Sequence, residues 1–348
     1  MRKVFLALRL AVVLWAAVAG FSRLPALLAP APGATATALH TVIGLFAMLA
    51  TVVLAVRPSE RLGGQEVWRY FHRNRAAAFG LQGAVVLALL AAVTPLIAPY
   101  DPVAIDVGPH LGPPTAAHWL GTDEFGRDSL SRCLYGARIS LVIGFVAVGI
   151  ASTAGTLLGA VAGFVGGTVD AVAMWVTDLV LSLPRLVLLL AVVGIFRPVG
   201  DNRLAVMVVL LGATGWMGVA RVVRAQVLAL REQEFVLAAR ALGLPEWRVL
   251  LRHVLPNALP PVLVLSSLAV GGTILTEAAL SYLGLGVSPP TPTWGALVSE
   301  GRESMRTAPW LIVAPGLLIG WTVLSFNLVG EGLRDALDPR MRGGAHDP

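Results

Sequence analysis

The residues of this chain that could do chemistry are few and scattered. Six histidines are present, His40, His72, His110, His118, His253 and His346. No two stand at the spacing that places a pair of imidazoles on one helix face for a metal ion. His110 and His118 share one loop, the nearest approach to a metal site. The lone Cys133 cannot form an internal disulfide, so a structural role is expected for it. Lys3 is the sole lysine. A Gly-rich phosphate loop ending in Lys and then Ser or Thr, with the lysine on the phosphates, is therefore absent. Neither His-Glu-x-x-His nor Gly-x-Ser-x-Gly occurs. These residue types predict no catalytic residue, no cofactor and no metal, and the chain is not expected to be an enzyme.

Three polar groupings remain. Asp123 and Asp128 flank Arg127 and precede Arg132 in Gly121-Thr122-Asp123-Glu124-Phe125-Gly126-Arg127-Asp128. Helix capping or pairing with those arginines is expected of them, in preference to metal binding. Glu277 stands in an apolar run, where an ionisable group costs about 2.5–3.5 kcal/mol at the membrane centre. It must face protein or water, either bordering a translocation path or holding helices together. The third grouping is the island 234–260, EFVLAARALGLPEWRVLLRHVLPNALP, set between two long apolar runs.

What positions these groups is a membrane-spanning chain. Of its 348 residues 56% are hydrophobic and 13% charged, against about 25% charged in soluble domains. The mean hydropathy is +0.78. A span needs roughly 20 apolar residues. Eight candidates follow: 4–21, 39–55, 79–98, 139–163, 183–197, 204–220, 258–280 and 309–329. The fifth is short and extends back through Trp175 to Pro184. The basic residues besides Lys3 are all arginine. They gather in 56–78, 221–257 and the tail, which all fall on one side if the eight spans are real. That side is predicted to be cytoplasmic, with both termini, and the basic excess reflects orientation instead of nucleic-acid binding.

Residues 1–56 read as an added two-helix hairpin, its first apolar run either an uncleaved anchor or a signal peptide ending at Ala17-Val18-Ala19. Residues 57–78, with Trp68, Tyr70 and Phe71 among the arginines, read as a cytoplasmic amphipathic segment or a plain basic flank. Residues 79–330 form the six-span unit and 331–348 a cytoplasmic tail. Gly155, Gly159 and Gly163 make a small-residue stripe that predicts close helix packing.

In the island, Glu234 to Leu242 lacks any helix breaker. Gly243 can take the left-handed conformation that ends a helix, and Pro245 suits the start of the next. A second helix over 245–254 would place Trp247, Leu250, Leu251 and Val254 on an apolar side, with Arg248 and Arg252 elsewhere and Pro256 stopping it. The pattern predicts two short helices across the inner surface, a docking element or an ordinary connector.

At these residues the chain resembles the inner-membrane permease subunits of ATP-binding cassette importers. Their signature is Glu-Ala-Ala, three residues, Gly, about nine residues, then a hydrophobic residue shortly before Leu-Pro. Ala238, Ala239, Gly243, Leu255 and Pro256 match it. Leu237 stands where the signature has Glu, with Glu234 about one turn earlier, and His253 stands where it has the hydrophobic residue. The segments 68–102, 121–140, Ser281 to Gly286, Pro289 to Gly295 and Leu337-Asp338-Pro339-Arg340 narrow the resemblance to the second permease subunit of dipeptide, oligopeptide and nickel importers.

The resemblance implies an all-α integral membrane protein of the cell inner membrane, with a six-helix importer-permease core and an N-terminal two-helix extension. It implies a second permease subunit as heterodimer partner, two ABC ATPase subunits and an extracytoplasmic substrate-binding protein. It makes 221–257 a coupling loop whose ATPase contacts fall at Glu234, Ala238, Ala239, Gly243, Pro245, Arg248, Arg252, His253 and Pro256. Peptide is the expected cargo, with a nickel chelate the alternative. A secondary transporter is the rival class, which would need charges spread over several spans and inverted repeats.

Overall fold

A computed structural model describes residues 70–196, 203–287 and 289–337. The N-terminal hairpin and the last residues of the tail lie outside them. Among the described residues the chain is all-helical, with no strand beyond one isolated bridge between Thr122 and Asp128. The helices are α1 (Arg75–Ile97), α2 (Ser129–Val165), α3 (Gly167–Leu181), α4 (Arg185–Phe196), α5 (Arg203–Ala213), α6 (Trp216–Arg231), α7 (Glu234–Ala241), α8 (Glu246–Val249), α9 (Leu255–Tyr282), α10 (Trp294–Gly301) and α11 (Trp310–Leu337).

Five helical runs are long and apolar enough to cross a membrane: 75–97, 129–165, 203–231, 246–282 and 310–337. A sixth arises if α3 and α4 make one broken span. The fifth expected span is thus two helices bent by 83° at Ser182-Leu183-Pro184. Apolar content alone hides such a bend, since both arms are greasy, but proline disfavours helix in the residue before it.

Polar caps fix the starts. The Asn74 side chain accepts from the backbone N–H of Ala76 and Ala77 and begins α1. Asp128 accepts from the Ser131 N–H and begins α2. The polar stretch before residue 139 is therefore helical too, and α2 reaches 37 residues.

Pro256 does not stop a helix. It sits in the first turn of α9, behind a π-helical turn at Leu250–Val254 that joins α8 to α9 without a break. Pro256 lacks the N–H that would bond back to the preceding turn, and the π turn is the local change of pitch next to that missing bond. One helical run then passes from Glu246 to Tyr282.

Four apolar clusters hold the bundle among the described residues, one of them packing Phe71 and Ala77 on Val329 and Leu333 of α11. Leu87, Leu141, Phe145, Ile274, Trp294 and Phe326 join α1, α2, α9, α10 and α11. Ile143, Leu189, Val208 and Leu211 bind α4 and α5 to α2. Ala160, Val223, Val227, Val236, Val249 and Val254 carry α6 to α9 on the far end of α2. The molecule has two ends: a basic end carrying α7 and α8, and a loop end carrying residues 98–128 and α10.

Candidate functional site

At the basic end α7 and α8 form a helical hairpin whose turn is set by one glycine. Gly243 has φ +74°. Its N–H reaches the Arg240 carbonyl at 2.8 Å, and the Leu244 N–H reaches the Ala239 carbonyl at 3.2 Å. This paired 5→2 and 6→1 bonding closes a helix on a left-handed residue, which costs glycine little. Pro245 follows in extended conformation, and its carbonyl accepts from the Arg248 and Val249 N–H groups.

The hairpin is pinned from below. Val236, Ala239, Val249 and Val254 are buried against α6 and the end of α2. Arg240 donates to Glu246 at 3.1 Å, tying the helices together, and lies 5.4 Å from the Phe164 ring centroid. The outer face carries Glu234, Ala238, Pro245, Arg248 and Arg252, all exposed, while His253 and Pro256 are half-buried at the junction with α9.

The face also bears a ridge of large apolar residues: Phe235, Leu237, Leu242, Trp247 and Leu251, with Leu242 81% and Trp247 60% exposed. The expected single apolar side over 245–254 is therefore split. Val249 and Val254 point inward, while Trp247 and Leu251 point out. The reason is the π turn, which widens the spiral after Val249 and breaks the 3.6-residue phase.

The glycine stripe lies under this hairpin, on α2 where α6 crosses. A Cβ at Gly155 would stand 2.5 Å from the Trp216 carbonyl oxygen, and one at Gly163 2.8 Å from that of Arg224. At Gly159 it would overlap the Ala220 carbonyl. Arg231 donates to the Gly163 carbonyl at 3.1 Å. Asp170 of α3 pairs with Arg224, and Asp178 with Arg221 at 2.5 Å. Sequence reasoning missed these pairs; the only trace was two acids on a segment facing two arginines.

At the loop end, Asp123 accepts from Arg127 at 2.6 Å and from Arg132. Glu300 of α10 completes the group, 3.1 Å from Arg127 and 2.9 Å from Arg132. Asp128 accepts from Ser131 and lies 2.9 Å from His118, on which Tyr100 stacks. His118 is thus taken up by Asp128, and His110 lies beside Asp106 at 2.8 Å. Glu277 is fully buried. One carboxylate oxygen accepts from Ser281 at 2.8 Å and Thr293 at 2.9 Å, and the other has no partner among the described residues. Thr293 also caps α10, and the Trp294 indole donates to the Cys133 carbonyl at 3.0 Å.

The arrangement contains an exposed helical hairpin anchored from beneath at one end and a charge-locked loop cluster at the other. The sequence is similar to that of known proteins. Residues 155–343 match the model of the binding-protein-dependent transport system inner membrane component. Residues 64–114 match the N-terminal TM domain of oligopeptide transport permease C. The dipeptide transport system permease protein DppC of Alkalihalophilus pseudofirmus is 40% identical over 279 residues, covering 80% of this chain and 90% of that protein. The oligopeptide transport system permease protein OppC of Haemophilus influenzae is 39% identical over 288 residues, 81% and 91% of the two. The glutathione transport system permease protein GsiD of Pectobacterium atrosepticum is 38% identical over 297 residues, 85% and 97% of the two.

Proposed function

Because this chain belongs to the family of binding-protein-dependent transport system inner membrane components, we propose that it forms half of the path of an ATP-driven importer for di- or oligopeptides. Its partners are a second permease subunit, two ATPase subunits and an extracytoplasmic substrate-binding protein. The lipid bilayer surrounds the unit 79–330, with both termini and the 221–257 loop on the cytoplasmic side.

One observation carries this reading: α7 and α8 expose an apolar ridge on a surface whose backbone is fixed from beneath. Large exposed apolar residues on a rigid frame are what a partner buries at the centre of an interface. The occupant is the ATPase, which this chain needs because it has no phosphate loop of its own. Nucleotide-driven closure of the ATPases shifts the permease between two access states through its differential contact with α7 and α8 in each. Glu277, enclosed by Ser281 and Thr293, is assigned to holding α10 on α9 and not to touching cargo. The names of the relatives, dipeptide, oligopeptide and glutathione permeases, support a peptide cargo.

The test is co-purification and uptake. Detergent-solubilised wild type brings down an ATPase and, reconstituted with its binding protein, takes up peptide. Gly243→Pro, which cannot adopt φ +74°, abolishes uptake. A chain that captures no ATPase, together with a Gly243→Pro variant that transports normally, overturns the proposal.

A further inference from the structure

Arg185 is the first residue of α4, at the elbow where the chain turns by 83° after Pro184. Its guanidinium borders Gly215, which packs on Ala151. Ala151 lies near the middle of the 37-residue α2, so the charge sits at membrane depth. An ionisable group there faces protein or water, and marks a site unless it is paired.

Its pairing is thin. One terminal nitrogen donates to the Leu211 carbonyl at 3.2 Å, which is accessible because α5 ends two residues later at Ala213. The Nε is buried and has no partner among the described residues. The acid nearest in sequence on the same bend, Asp178, pairs with Arg221. Asp170 is engaged by Arg224, and the loop-end arginines by Asp123 and Glu300. A guanidinium offers five donors, and a single neutral carbonyl leaves the charge uncompensated.

The space beside it is a cleft. Val180, Leu183, Leu188, Thr214, Met217 and Gly218 line a cleft of about 180 Å³ next to Arg185. Apolar walls around one fixed cation form a surface that orients an anionic group; the Thr214 hydroxyl on the wall donates to the Leu210 carbonyl at 2.9 Å. The fork of an arginine matches a carboxylate with two parallel hydrogen bonds.

We propose that Arg185 binds the carboxylate of a peptide cargo as it passes this elbow. The site selects for cargo carrying a free carboxylate, by direct pairing at membrane depth. It rests on the peptide-import reading above.

The test uses the reconstituted importer with a radiolabelled dipeptide bearing a free C-terminal carboxylate. A photo-crosslinking residue replaces Leu188 on the cleft wall. During ATP turnover the wild-type background captures peptide at position 188. Arg185→Gln lowers both capture and kcat for uptake at least fivefold, leaving the KM for liganded binding protein and cargo-free ATP hydrolysis unchanged. Arg185→Lys keeps more than half of each, which controls for misfolding. Absence of capture in a background that transports peptide overturns the proposal, as does equal capture and uptake in Arg185→Gln. An importer that takes up no peptide at all, while still capturing its ATPase, sinks the peptide reading instead.

Discussion

Arg132 and Glu300, 168 residues apart, meet through two nitrogen–oxygen contacts of 2.9 and 3.2 Å, and through them the start of α2 is bound to α10. Arg132 is 1% and Glu300 20% exposed at the side chain, and Asp123 shares both arginines of the group. Removing one member of a buried ionic group leaves its partner uncompensated, at about 3–5 kcal/mol. Asp123→Asn is therefore expected to lower the melting temperature of the purified protein in detergent by more than Glu300→Gln, which sits nearer solvent. An equal or reversed order would show that Asp123 does not anchor the group.

The crossing of α2 and α6 makes a second prediction. Overpacking a tight contact costs typically 1–3 kcal/mol, and a backbone carbonyl cannot swing aside as a flexible side chain can. Gly159→Ala is expected to reduce the yield of monodisperse protein, and Gly159→Leu to abolish it. Gel filtration of membrane extracts reads the outcome. A full yield of the leucine variant would mean that α6 does not need this approach.

On the outer face of α7 and α8, where ATPase docking is proposed, Trp247 is 60% exposed and its ring lies against Arg248. Interface centres built on such a residue typically lose at least about 2 kcal/mol on truncation, roughly thirtyfold in Kd. Trp247→Ala is expected to weaken ATPase binding by that order while leaving the melting temperature unchanged. Titration of the ATPase onto permease held in lipid nanodiscs measures it, and unaltered affinity contradicts the assignment.

Leu237 occupies the position where the signature that this segment resembles has Glu. It is 48% exposed, so an acid there stays solvated and the fold tolerates it. Leu237→Glu is expected to bind the ATPase at least as tightly as wild type. A weaker complex would show that this chain's interface has been rebuilt around the leucine.

Contacts short in sequence were legible without a structure. Capping or arginine pairing is expected of Asp123 and Asp128 because they stand within ten residues of Arg127 and Arg132; Asp123 takes both arginines and Asp128 takes the cap. The part of Glu300 was not legible, since nothing local announces a partner across half the chain. The break at Gly243-Leu244-Pro245 was readable because glycine and proline limit the backbone directly. The fate of Trp247 and Leu251 was not, because a turn of altered pitch leaves no mark in an apolar pattern. Spans were legible from hydropathy, whereas the 83° elbow and the lone cation at its corner needed coordinates.

The run from Glu246 to Tyr282 is 37 residues without a break, about 55 Å long at 1.5 Å per residue. Its lower end is part of the exposed hairpin and its upper end holds Glu277 beneath α10. A rod of that length is a lever. A tilt of about 5° about one end sweeps the other by about 5 Å, the width of a helical turn. The π turn at Leu250–Val254 keeps the shaft continuous where a loop would break it, and Pro260 and Pro261 inside α9 mark where the lever can flex.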